Sequence, residues 1–102
     1  MIKLTRSIKL PAKHPGIIFK TCILLAHKLS VTEAAKKMHI NRSHLIDFSM
    51  GKVSVKAPLA MKLEKATGIS AVFWMNLQTT YDLFINSDLD VDCEPLYDLK
   101  MA

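Results

Sequence analysis

Hydrogen-bonding and cationic side chains, not nucleophiles, dominate the stretch from Ser30 to Lys52, SVTEAAKKMHINRSHLIDFSMGK, and the chemistry they suit is recognition. Residues that could catalyse or ligate a metal are dispersed along the chain. His14, His27, His39 and His44 fall at no zinc spacing with cysteine or carboxylate, and Cys22 with His27 five residues on is too weak a pair. Cys22 reads as a small apolar packing residue, and the sequence holds no glycine-rich phosphate loop, carboxylate pair or triad. His14 before Pro15 is placed to set the start of a helix, and His27 to snorkel at its end. The chain is expected to bind rather than catalyse, with no catalytic residue, metal, cofactor or small-molecule substrate.

The Ser30–Lys52 stretch reads as two short helices joined by a tight turn. Val31, Ala34, Ala35 and Met38 recur at the three- and four-residue spacing of one buried helical face. Ser30 can cap the first helix, with Glu33 where a capping-box acid belongs. After His39 to Asn41, Asn41 can cap a second helix carrying Leu45 and Phe48 inward, and Gly51 supplies a left-handed terminus. This is a helix-turn-helix pattern, in which the leading helix crosses the phosphate backbone and the following one offers its exposed N-terminal side chains to base edges in the major groove.

Three further helices complete an all-α reading. Pro15 and Gly16 open IIFKTCILLAHKL, with Ile18, Phe19, Ile23 and Ala26 facing a core. Beyond Lys52, Leu59, Met61, Leu63 and Ala66 form a helical pattern that tolerates Pro58 in its first turn and stops at Gly68. Ser70 caps the last segment, where Phe73, Leu77 and Phe84 make one apolar stripe and Trp74, Tyr81 and Ile85 an adjoining one. Trp74 and Tyr81 are seven apart, which argues for core and subunit packing over base stacking. Asn76 and Gln78 are assigned to helix-end or interface hydrogen bonds.

Charge divides the chain. Residues 1–87 carry +9 and residues 88–102 carry −4, against an overall +5. A basic body suits a polyanion, because neutralising phosphates releases condensed counterions; a solvated charged surface is the bland alternative. The chain is expected to divide into a basic N-terminal arm (1–13), a helix-turn-helix domain (14–87) and an acidic tail (88–102). The tail, with Leu89, Val91, Leu96 and Leu99 interspersed, could be a loose end, a cover for the basic surface or a docking strand. Two isolated cysteines, no signal-peptide core and no run of about 18 apolar residues point to a soluble cytoplasmic protein, neither secreted nor membrane-spanning.

Five pieces together resemble a known family: HPG at 14–16, LSVTEAAKKM at 29–38, NRSHL at 41–45, GK at 51–52 and FWMNLQTTYDL at 73–83. The chain is similar, over about residues 14–85, to the HigA-type or VapI-like antitoxins of the Cro/C1-type (XRE) helix-turn-helix group. The resemblance implies a five-helix, lambda-repressor-like homodimer that binds operator DNA, neutralises a HigB-type ribosome-dependent mRNA endonuclease and represses its own operon. By position it also implies that Thr32 caps or begins the backbone-crossing helix and contacts phosphate, and that Arg42, Ser43 and His44 lead the recognition helix. Asn41 would cap that helix and could also touch phosphate, and Lys52 would make a sequence-blind phosphate contact. Arg42 is the principal candidate, since its planar fork can pair with guanine O6 and N7, worth about 1–3 kcal/mol of discrimination. The last helix, through Phe73, Trp74, Leu77, Tyr81, Phe84 and Ile85, is the candidate dimer seam.

Departures from the family pattern carry expectations of their own. Asp47 stands where a basic or amide side chain commonly faces DNA; it would repel phosphate, although it could accept from cytosine N4. Ile46 replaces a small polar residue, and His39 replaces the usual turn glycine, which demands a left-handed histidine or a different turn. Ile17, Thr21 and Leu25, with Cys22 beside them, form a strip outside the core face of the first helix, expected either to join a toxin or a second subunit or to lie under the N-terminal arm. The readings left open are a DNA-binding antitoxin, a stand-alone Cro/C1-type regulator, and an interaction-only antitoxin or scaffold that has lost DNA recognition.

Overall fold

A computed structural model describes residues 12–101, and among them the fold is helical without strands. Five helices carry it. α1 begins as α-helix at Pro15–Ile18 and continues as π-helix through Phe19–Leu25; α2 spans Val31–Met38, α3 Arg42–Ser49, α4 Ala57–Thr67 and α5 Ala71–Ile85. A 3-10 turn at Leu99–Met101 follows. The five-helix expectation therefore holds, while the proposed basic arm lies outside the described residues except for Ala12 and Lys13.

Local chemistry fixes the ends of each helix. At α1 the His14 Nδ1 accepts the Gly16 amide at 2.8 Å, with Pro15 at the first helical position. Ser30 and Glu33 form a complete capping box on α2, Asn41 Oδ1 accepts from Ser43 and His44 on α3, and Ser70 Oγ accepts from Val72 and Phe73 on α5. Three C-termini close in the same way. Lys28, His39 and Gly51 each adopt positive φ. Each amide then bonds back three residues, while the next amide bonds back five: Leu29 to Leu24 at 2.8 Å, Ile40 to Ala35 at 3.0 Å and Lys52 to Asp47 at 2.8 Å. These are Schellman closures, which satisfy the orphan carbonyls. His39 is thus the left-handed residue that the missing turn glycine demands, at φ 55° and ψ 48°.

The core gathers Phe19, Leu24, Leu45, Phe48, Leu63 and Trp74 from every helix but α2, which contributes Ala34, Ala35 and Met38. Phe19 touches both Phe48, at 5.7 Å between ring centroids, and Trp74, at 6.3 Å. The π-winding changes which face of α1 is inside: with hydrogen bonds spanning five residues, Leu24 follows Phe19 into the core, Ile23 is half-buried and Ala26 is exposed. The expected face of Ile18, Phe19, Ile23 and Ala26 is corrected accordingly, Ile18 being half-buried as well. On α4 the inward residues are Leu59, Ala60 and Leu63, whereas Met61 is 66% exposed and Ala66 is also outside.

Gly16 permits a close approach of two backbones. A Cβ on it would lie 1.6 Å from the Phe48 carbonyl oxygen, so only glycine lets the start of α1 press against the end of α3. His14 seals the same junction, 5% exposed, edge-on to Tyr81 at 5.1 Å and to Phe48 at 6.0 Å. Burial lowers its pKa from the ordinary 6.5, against the opposing pull of Asp82 and a hydrogen bond to the Val53 backbone.

Candidate nucleic-acid interface

Thr32, Asn41, Arg42, Ser43, His44, Asp47 and Lys52 are all exposed, on the N-terminal ends of α2 and α3 and along the outer side of α3. Leu45, Phe48 and Ser49 face inward, so the opposite ridge of α3 carries Ser43 and, one turn on, Asp47. Ile46 is half-buried beside that ridge and takes part in packing rather than projecting freely. Met50, 53% exposed, ends the ridge and was not anticipated from sequence.

One contact organises the cationic edge. Arg42 Nε donates to Thr32 Oγ1 at 2.8 Å, tying the first turn of the recognition helix to the first turn of α2. Among the described residues this is the only hydrogen bond of the guanidinium, which leaves its two terminal nitrogens, the pair that can engage guanine end-on. Thr32 is therefore an orienting acceptor; the helix cap beside it is Ser30. Asn41 uses its Oδ1 for the α3 cap, at 2.9 Å to Ser43 and 3.3 Å to His44. Lys52 emerges directly after the left-handed Gly51, where the chain leaves α3.

The turn is held from behind. Lys62 Nζ donates to the His39 carbonyl at 2.8 Å, joining α4 to the α2–α3 turn, and His39, Asn41, His44, Pro58 and Lys62 line a shallow cleft there. Gln78 secures the other side. Its Oε1 accepts from Val55 at 2.8 Å, and its Nε2 donates to Asp82 at 2.9 Å, pinning the α3–α4 connection onto α5. Neither tie was visible in the sequence, because each joins residues 23 apart.

The expected seam on α5 divides in two. Trp74 is fully buried under α1, and its indole N–H has no partner among the described residues, so it belongs to the core and cannot line a surface; Tyr81 is half-buried against His14. Phe73, Leu77 and Phe84 form the flank that is left partly open, with Phe73 48% exposed, and Ile85 is 56% exposed at the helix end. On α1, Thr21, Cys22 and Leu25 are exposed and Ile17 is half-buried; Thr21 Oγ1 donates to the Ile17 carbonyl at 3.0 Å.

No protein-family model matches the chain. Virulence-associated protein A′ of Dichelobacter nodosus is 39% identical over 71 residues, 69% of this chain and 61% of that protein. Virulence-associated protein A of the same organism is 38% identical over 71 residues, covering 69% of this chain and 70% of its own length. Among solved structures, PA4674 of Pseudomonas aeruginosa in complex with its 18-bp operator DNA superimposes with TM-score 0.77 and 26% identity, over 85% of this chain and 99% of that one. The Pseudomonas aeruginosa antitoxin HigA with the higBA promoter gives TM-score 0.74 and 26% identity, over 85% and 100%. With its HPG lead-in, paired helices and FWMNLQTTYDL helix in these places, the chain belongs to the HigA/VapI-type antitoxins of the Cro/C1-type helix-turn-helix family.

Proposed function

We propose that this protein is a DNA-binding antitoxin that represses its own operon and neutralises a HigB-type mRNA endonuclease. The observation that carries the DNA reading is the Thr32–Arg42 bond, which sets a cationic fork at the exposed leading edge of α3. In this reading Arg42 reads a base edge, Ser43 and His44 extend the contact, and Lys52 and the α2 N-terminus anchor phosphates. Pairing through α5 is part of the proposal. Phe73, Leu77, Thr80 and Phe84 follow one another at spacings of four, three and four, the repeat with which two helices interlock. Such a dimer sets two recognition helices on half-sites about 34 Å apart. Kinship with antitoxins solved on operator and promoter DNA supports this reading, and the +9 charge of residues 1–87 suits it.

The test is titration of the chain against the region upstream of its own gene and against random duplex, at two salt concentrations. Preference for the upstream DNA, lost on Arg42→Ala, is the expected result; equal binding to both overturns it. Asp47 favours a second reading, because it places a carboxylate on the outward ridge of α3. An interaction-only antitoxin shows no sequence preference at any salt, and there Asp47→Asn restores only general affinity.

A further inference from the structure

The tail and the outer strip of α1 are complementary surfaces that the single chain leaves apart. From Leu89 to Val91 the tail alternates apolar and acidic residues, and Leu89, Val91, Leu96 and Tyr97 are between 58% and 95% exposed. No residue from 88 to 100 is even half-buried. The α1 strip is the converse: Leu25 is 63% exposed beside Thr21 and Cys22, and its borders are cationic, with Lys13, Lys20 and Lys28 exposed. An apolar centre with a positive rim fits an apolar segment carrying −4. The N-terminal arm is the poorer occupant, because residues 1–11 carry three basic side chains and no acid, like in sign to the rim.

We propose that the acidic tail of one copy docks on the α1 strip of a second copy. Reach permits it. Thirteen extended residues span roughly 40 Å, against about 12 Å for the eight helical steps from Ile17 to Leu25. Exposure of both surfaces favours exchange over folding back. The side chains from Leu89 to Lys100 meet solvent, as do those of Thr21, Cys22 and Leu25, so neither surface covers the other within one chain. In a two-fold dimer the contact occurs twice, each tail clasping the other subunit next to the α5 pairing.

This inference rests on the paired state proposed above, and sedimentation velocity of the full chain over a concentration series tests both. Asp90→Lys with Asp92→Lys on the tail, and separately Lys13→Glu with Lys20→Glu on the rim, should each weaken self-association about tenfold. The four changes together should restore it to within about threefold of the parent. Leu89→Ser with Val91→Ser gives the same loss and keeps it in high salt, where the charge effects fade. Circular dichroism of each variant confirms that the helices stay folded. A dimer indifferent to the charge reversals, or a quadruple variant no tighter than its parents, overturns the tail docking alone. A chain monomeric at every concentration overturns both.

Discussion

Replacing Thr32 with valine removes one oxygen and leaves the volume nearly unchanged, yet it should loosen the grip of this protein on its operator. The hydroxyl accepts Arg42 Nε at 2.8 Å on an exposed surface, so its value lies in orientation more than in stability. An arginine side chain carries about 2 kcal/mol of rotamer entropy, which must be lost when the fork engages a base. If the bond to Thr32 fixes half of that beforehand, its removal costs about 1 kcal/mol, or roughly fivefold in Kd. Arg42→Ala should cost about 1–3 kcal/mol on the operator and far less on random DNA. In the Arg42→Ala background the valine change should then cost almost nothing, giving a coupling near 1 kcal/mol. Fluorescence anisotropy on labelled operator, with all four proteins in one buffer, measures this. A Thr32→Val loss of equal size with and without Arg42 would mean that the hydroxyl only holds phosphate, and would refute the orienting role.

Gly16→Ala should cost about 3 kcal/mol or more, since its Cβ would lie 1.6 Å from the Phe48 carbonyl and neither backbone can yield cheaply; thermal unfolding measures it. Acidification should destabilise the fold through His14. Its folded-state pKa lies below 6.5, so the unfolded chain binds the proton more readily, and the stability contributed is whole above pH 6.5 and falls as pH drops through it. His14→Asn, which keeps a capping acceptor, should flatten the part of the pH–stability curve just below 6.5 in urea titrations. His39→Gly should stabilise by about 0.5–1 kcal/mol, the cost of a left-handed side chain less the entropy that glycine adds to the unfolded state, and raise Tm by a few degrees.

The helix-turn-helix was legible because its signals are local. Capping pairs, three- and four-residue spacing and a terminal glycine are decided within a turn or two of backbone, and Ser30, Glu33, Asn41 and Gly51 do in the structure what their types suggest. What stayed hidden depends on partners far along the chain. Two stripes on α5 looked equally apolar, and only the placement of α1 against it decides that Trp74 is inside and Phe73 half outside. Gln78 gave no sign that it holds Val55, nor Lys62 that it holds His39. Within the candidate interface the exposed positions were readable, whereas the Thr32–Arg42 bond depends on how two helices cross.

The π-winding of α1 has a consequence for how this chain can change length. Between Phe19 and Leu25 each ring of backbone hydrogen bonds encloses one residue more than an ordinary helix needs, which is what a single insertion into that helix produces. Removing one residue between Phe19 and Leu24 would leave an ordinary helix in which Leu24 stands four residues after Phe19, so everything beyond the excision would keep its orientation. Leu24 would stay in the interior beside Phe19. Only the side chains of the shortened stretch, Thr21 and Cys22 among them, would change place, so at this point the chain can lose a residue without losing the fold and still alter what the outward strip holds.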